Sequence, residues 1–163
     1  MYEYRVTKYN PEFRDAGGRY LREDWIMFRQ VGESFSGVVL TVEEYERVEM
    51  AYVNSAIAFL REAGLLSMTV ADLENHQGSQ LAFRNGSTLP LDEVADVIRQ
   101  MLQEKLWCRL EGKDAFVHIG WDYYMYIGVP HRCIIAEQKA VELGLFVEEF
   151  VSPHRRELDD LGA

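Results

Sequence analysis

The stretch FVHIGWDYYMYIGV, residues 116–129, places six rings within eleven residues when the imidazole of His118 is counted. Two runs with the composition of β-strands meet in it around Gly120, Trp121 and Asp122, so the stretch predicts a β-hairpin. Tyr and Trp at this density occur both in cores and on surfaces that bind partners. The hairpin therefore raises the questions of fold and of function together.

The turn of the hairpin assigns its side chains to two faces. If residues 120–122 form a three-residue loop with Asp122 in the left-handed conformation, Ile119 faces Tyr123 and Val117 faces Met125. A core face then carries Val117, Ile119, Tyr123, Met125 and Ile127. The opposite face carries Phe116, His118, Tyr124 and Tyr126. Either a helix covers this second face, because the helices must pack somewhere, or the face is open and marks an interface or a pocket.

The rest of the chain predicts the elements that surround the hairpin. Period-two alternation over residues 2–9 predicts a strand, and further strands are expected at 66–73, 106–110 and 145–151. Helical spacing predicts helices over 41–63, over 91–105 and after Pro130. The sequence thus predicts a single α+β domain over residues 1–152, with a mostly antiparallel sheet of about five to six strands packed with three helices. A polar C-terminal tail is expected over residues 153–163.

The interval between residues 10 and 37 has no clear periodicity. Gly17-Gly18 is a turn signal, and charged residues crowd the segment. The apolar cluster Trp25-Ile26-Met27-Phe28 within it is either packed inside or part of a docking arm, and large apolar side chains usually go inside.

Charge and composition exclude some classes of function. The chain has 163 residues and a net charge of −10, from 27 acidic and 17 basic residues. Nucleic-acid binding requires a basic footprint, so no nucleic-acid partner is expected. Neither a signal peptide nor an apolar run near the ~20 residues of a membrane span is visible, so we expect no membrane partner and a cytoplasmic location. Glu43, Glu46 and Glu49 give the helix over 41–63 an acidic face, which is either simply solvated or docks a basic partner.

No catalytic, metal or cofactor motif is present. The four histidines lie far apart, without ligand spacing, and phosphate-cradling and nucleophile-elbow motifs are missing. Cys108 and His118 could pair as nucleophile and base across neighbouring strands, but a cysteine in an apolar strand is typical of packing. We therefore expect no catalytic residue, no metal and no cofactor.

Three hypotheses for function follow. A small acidic α+β domain without catalytic motifs is similar in general character to immunity and antitoxin proteins, which implies a protein-binding inhibitor of a toxin. The second hypothesis is a small-ligand-binding protein or enzyme, with His118 as base and Arg109 or Arg132 holding an anion. The third is a homodimer that pairs the hairpin or an edge strand. The candidate binding residues are Phe116, His118, Trp121, Tyr124, Tyr126, Glu43, Glu46 and Glu49.

Overall fold

The computed structural model describes residues 1–155. Its strands are β1 (Tyr2–Thr7), β2 (Ser34–Phe35), β3 (Val38–Val39), β4 (Ser67–Asn75), β5 (Thr88–Pro90), β6 (Leu106–Gly112), β7 (Ala115–Ile119), β8 (Met125–Val129) and β9 (Phe146–Glu149). Its three long helices are α1 (Val42–Glu62), α2 (Leu91–Leu102) and α3 (Ile134–Glu142).

One antiparallel sheet of seven strands forms the centre of the molecule, in the order β5-β4-β6-β7-β8-β1-β9. The predicted single α+β domain is confirmed, with more strands than the five or six expected. The hairpin β7-β8 lies inside the sheet, because β6 flanks one of its strands and β1 the other. A homodimer that pairs strands through this hairpin is therefore excluded, and β5 and β9 are the edges of the sheet.

The helices pack on one face of this sheet. That face and the helices bury a single apolar cluster to which β7 and β8 contribute Val117, Ile119, Met125 and Ile127. The Tyr4 ring of β1 contacts the Phe59 ring of α1 at 5.0 Å. Among residues 1–155, no helix is long and apolar enough to cross a membrane.

Local sequence explains the limits of α1. The Thr41 hydroxyl accepts a hydrogen bond from the Glu44 amide at 3.1 Å, which satisfies one of the amides that the first helical turn leaves without a partner. Gly64, with φ at +79°, follows the last turn in the left-handed conformation that glycine adopts without strain. The predicted helix over 41–63 is confirmed to within one residue at each end.

The register of the hairpin differs from the prediction. Ile119 lies opposite Met125 and Val117 opposite Ile127, so the connection is longer than three residues and spans 120–124. The Gly120 amide closes it by donating to the Tyr124 carbonyl at 2.7 Å, and Asp122 does adopt the left-handed conformation. The pairing is displaced by two residues, and because side chains alternate with a period of two, the strand residues keep the faces predicted for them.

The segment between β1 and α1 wraps around the end of the sheet where this connection lies. Trp25 is buried against the rings of Tyr45 and Tyr123, so the packing interpretation is correct for this residue. The small β2-β3 hairpin turns through Ser36 and Gly37, both with positive φ. Strands of two or three residues, such as β2, β3 and β5, carry too few alternations to be predicted from periodicity.

Candidate functional site

The polar and aromatic face of the hairpin is covered, and its cover is the C-terminal segment rather than one of the three long helices. His118 is 1% exposed; its Nδ1 lies 3.0 Å from Ser152 Oγ and its Nε2 lies 2.9 Å from Glu111 Oε1. The imidazole stacks on the Phe116 ring at 4.3 Å. An open surface formed by this face is therefore excluded for its buried members Phe116, His118 and Tyr126.

Residues 150–155 are held against the sheet by further contacts. The Ser152 amide donates to Glu3 Oε2 at 3.0 Å, and Arg155 pairs with Glu3. The rings of Phe150 and His154 both contact Tyr126. The first three residues of the predicted tail, 153–155, thus belong to the packed part of the molecule, and residues 156–163 lie outside the described residues.

A cleft of about 580 Å³ opens beside the turn of the hairpin. Trp121, 68% exposed, stands at its edge. Four tyrosine rings line the cleft, together with Arg19, Arg22, Asp24 and His154. We call it the tyrosine cleft; its tyrosines are Tyr9, Tyr20, Tyr124 and Tyr126.

Three of these tyrosines form a nearly parallel row. The Tyr9 and Tyr124 rings lie 5.1 Å apart at 24°, and the Tyr124 and Tyr126 rings lie 6.4 Å apart at 23°. Burial raises the pKa of Tyr9, Tyr20 and Tyr126 above the ordinary tyrosine value, so these hydroxyls stay protonated at neutral pH. Tyr9 and Tyr126 are nevertheless buried, and the Tyr9 hydroxyl donates to the Asp122 carbonyl at 2.6 Å. The aromatic surface open to the cleft therefore comes from Tyr20, Tyr124 and Trp121.

Two buried arginines lie behind the ring of Tyr124. Arg5 pairs with Glu148 at 2.8 Å, and Arg14 lies 3.6 Å from the same carboxylate. Arg14 Nη1 also donates to the Tyr124 hydroxyl at 2.8 Å, whereas its Nε and Nη2 make no hydrogen bond within residues 1–155. One carboxylate therefore serves two guanidinium groups.

Lys8, which directly follows β1, places a buried ammonium group beside Trp25 and Asp24. Its ammonium lies 4.2 Å from the centre of the Trp25 ring and 2.8 Å from Asp24 Oδ2. Burial lowers the Lys8 pKa to about 8, although the Asp24 carboxylate opposes the shift. Desolvation disfavours the charged form of a lysine more than this single partner compensates.

A second concavity, which we call the helix groove, lies between α1, α2 and the segment before α1, with a volume of about 450 Å³. The lining residues of α1 recur at three and four positions: Val42, Tyr45, Glu46, Glu49 and Met50. Phe28, Val31, Arg99 and Gln103 complete its walls. Glu49 is 5% exposed; it accepts from Gln103 Nε2 and pairs with Arg99 at 3.3 Å.

The structure places five of the eight candidate residues in the two concavities. Trp121, Tyr124 and Tyr126 line the tyrosine cleft. Glu46 and Glu49 line the helix groove, and Glu43 is exposed one turn before Glu46. Glu49 does not belong to an exposed acidic face as expected, because the groove buries it against α2. Phe116 and His118 line neither concavity.

The two arginines of the second hypothesis, Arg109 and Arg132, already have carboxylate partners within the protein. Arg109 pairs with Asp72 and Glu111, and Arg132 pairs with Glu137. Neither arginine lines the tyrosine cleft, and the imidazole of His118 is enclosed by its own hydrogen bonds. No His, Cys, Asp and Glu side chains within residues 1–155 form a group that could hold a metal ion.

The two cysteines are buried and free. Burial raises the pKa of the Cys108 thiol to about 12 and that of Cys133 to about 11. Cys108 packs against Met101 on the helix-covered face of the sheet, whereas His118 lies on the opposite face. The two residues cannot act as nucleophile and base, which agrees with the packing interpretation.

Sequence reasoning missed the basic and aromatic residues that come from the segment before α1. Arg14, Arg19, Tyr20 and Arg22 lie in a stretch without periodicity, so no pattern indicated which side of the molecule they reach. The available signal was compositional: three arginines and a tyrosine fall within nine residues of an otherwise acidic chain. His154 was missed because its position was assigned to the tail.

The fold and these concavities define an α+β protein with two candidate binding surfaces at one end of its sheet. Comparisons with protein-family models, with curated protein sequences and with solved structures find no match for this chain.

Proposed function

We propose that the protein is a non-catalytic protein-binding module and that the helix groove receives a basic, partly apolar segment of its partner. The observation that carries the proposal is a pair of exposed apolar side chains on α1 that border the groove, with Glu46 between them. Val42 and Met50 are 51% and 56% exposed, although they stand eight residues apart on one helical face. The helix buries its other face in the core, whereas the described residues leave Val42 and Met50 more than half exposed.

The segment before α1 supplies the opposite wall of this groove. The Phe28 ring packs edge to face on the Tyr45 ring at 4.9 Å and remains partly exposed. An aromatic ring, a flexible methionine and a valine around a groove of this size suit the apolar anchors of an amphipathic helix. The same features favour binding of a protein segment over a flat contact between surfaces.

The charges around the groove indicate a basic partner. Arg99 and Gln103 satisfy Glu49, whereas Glu43 and Glu46 are exposed and have no ion pair within residues 1–155. With a net charge of −10, the protein attracts cationic partners over distances of about a Debye length. An immunity- or antitoxin-type inhibitor of a basic toxin is the biological role that we propose for such a module.

Binding to the proteins encoded by the neighbouring genes tests this proposal, with calorimetry as the measurement. In the partner-binding assay, Met50→Glu and Glu46→Lys should each weaken the complex at least about tenfold, because one places a charge on the apolar wall and the other repels a cation. Ile135→Glu and Glu142→Lys, exposed positions on α3, are the matched controls and should change affinity less than about twofold.

Two results would contradict the proposal. One is the absence of a complex with any of these neighbouring proteins. The other is a complex that the α3 variants weaken as much as the α1 variants, since the contact would then lie outside the groove. Pairing of two copies through the edge strand β5 or β9 stays a separate prediction, which light scattering at several protein concentrations tests.

A further inference from the structure

The tyrosine cleft carries an inference that is independent of the helix groove. Its exposed aromatic surface comes from Tyr20, Tyr124 and Trp121. The Tyr124 ring is held nearly parallel to the buried rings of Tyr9 and Tyr126. Flat rings pack best against other flat groups, in stacked or edge-to-face contact. With about 580 Å³, the cleft also has the volume of sites that hold small molecules.

The charge behind this row is positive. Within residues 1–155, Glu148 is the only carboxylate that pairs with Arg5 or Arg14, so one carboxylate of this part of the chain stands against two buried guanidinium groups. Arg14 is 94% buried, since its side chain is 6% exposed. Because the Tyr124 hydroxyl accepts from Arg14, its own proton is available to an acceptor in the cleft.

Arg19 and Arg22 line the cleft itself, and neither pairs with a carboxylate of residues 1–155. Of the twelve arginines within residues 1–155, eight form ion pairs. Arg19 and Arg22 are among the four that do not, and both line the cleft. The Arg22 guanidinium stacks on the Phe13 ring at 4.0 Å, which orients its plane and leaves its hydrogen-bonding edges available.

The acidic residues of the cleft do not cancel this charge. Asp24 pairs with Lys8, and Asp122 contributes one carboxylate against the two guanidinium groups of Arg19 and Arg22. A planar fork of N–H donors matches the two oxygens of a carboxylate. The exposed rings of Tyr20, Tyr124 and Trp121 favour a flat ring as the rest of the ligand.

We propose that the tyrosine cleft binds a small planar aromatic molecule that carries a carboxylate. The ring lies against the partly exposed rings of Tyr20 and Tyr124, and the carboxylate is bound by Arg19 and Arg22. The Tyr124 hydroxyl and the buried charge of Arg14 behind it contribute to the attraction of the anion. The helix groove has no part in this binding.

Ligand-detected NMR titrations with matched acids and amides test the proposal. The probes are indole-3-carboxylate and benzoate, each compared with its neutral carboxamide. In the wild-type protein, each acid should bind about tenfold more tightly than its amide, because a charge-assisted contact to arginine is lost in the amide. In the double variant Arg19→Ala/Arg22→Ala, most of this preference for the acid should be lost, and only the smaller contribution of Arg14 and the Tyr124 hydroxyl should remain.

Controls separate the cleft from general attraction of anions. Arg61→Ala removes another arginine without an ion pair, in this case on α1, and should leave the affinity of both acids unchanged. Because Arg19 and Arg22 are exposed, their replacement should also preserve the melting temperature. Met50→Glu in the helix groove should not affect these probes, so this test and that of the proposed function can fail separately.

Three outcomes would overturn the inference. In the first, acid and amide bind with equal affinity. In the second, Arg61→Ala weakens binding of the acids as much as the double variant does. In the third, the acids do not saturate the protein at concentrations up to about 10 mM, near the limit of weak binding for molecules of this size.

Discussion

The two faces of the central sheet are buried by different means. On the helix-covered face, Val117, Ile119 and Ile127 pack into one continuous apolar cluster. On the opposite face, His118 is buried through hydrogen bonds to Ser152 and Glu111. Apolar burial is non-directional and scales with area, whereas polar burial depends on each partner being present. The helix-covered face should therefore provide most of the stability, whereas the hydrogen bonds on the opposite face should fix where the C-terminal segment lies.

The substitution with the largest expected effect on stability lies on the helix-covered face. Ile127→Ala should lower the free energy of unfolding by about 3 kcal/mol, because it removes buried methylene groups and leaves a cavity among rigid neighbours. Urea unfolding measures the change, with an unaltered denaturant dependence as the sign of intact two-state behaviour. Ile135→Ala, at an exposed position on α3, is the control and should cost less than about 0.5 kcal/mol. An equal loss of unfolding free energy in both variants would mean that the helix-covered face contributes no more to stability than an exposed position does.

A smaller effect is expected on the pH dependence of stability, and it comes from the buried ammonium group of Lys8 at the end of β1. The folded-state pKa of Lys8, about 8, lies below its ordinary value of 10.5. As the pH rises above 8, the folded chain releases this proton before the unfolded chain does, so the destabilisation by the buried charge is relieved. Between pH 7 and 9.5, the wild type should therefore gain about 2 kcal/mol relative to Lys8→Met.

Unfolding measured at several pH values provides this difference. Comparing the two proteins at each pH removes the opposing contribution of the buried tyrosines, which ionise more readily in the unfolded chain. Lys113→Met, in an exposed turn, should give a pH dependence parallel to that of the wild type. If the curve of Lys8→Met is parallel as well, the lysine is not buried in its charged form.

The smallest expected effect is on the face covered by the C-terminal segment. Ser152→Ala should cost about 1 kcal/mol, because the buried imidazole of His118 loses one hydrogen-bond partner. Residues 150–155 should also exchange their amide hydrogens faster, which mass spectrometry would detect. Ser79→Ala, in an exposed loop, should be neutral. A cost as large as that of Ile127→Ala would mean that the two faces stabilise the protein equally.

Periodicity predicted the strand residues of the hairpin more reliably than loop length did. The predicted loop was too short by two residues, yet the faces of Phe116 to Ile119 and of Met125 to Ile127 were correct, because an even displacement preserves alternation. The same regularity predicted β1, α1 and α2, whose buried stripes are long. It could not predict β2, β3 or β5, because strands of two or three residues are too short for the alternation to repeat.

Only part of the candidate sites could be predicted from sequence patterns. Trp121 and Tyr124 were found because their density is visible in the sequence, and both border the tyrosine cleft. The residues that give the cleft its charge come from a segment without periodicity, and Arg14 reaches Tyr124 across 110 residues of chain. A pairing of this kind depends on the path of the segment in space, which no local pattern encodes.

By itself, the sequence determined the fold class, the faces of the hairpin and the acidic character of α1, because these follow from the alternation of side chains and from composition. Only the tertiary structure decided that residues 150–155 close one face of the hairpin and that the segment before α1 places arginines beside Tyr124. It also decided that Glu49 is buried between α1 and α2. The physical reason is the same in each case: burial and ion pairing are relations between distant parts of the chain, and they exist only once the chain has folded.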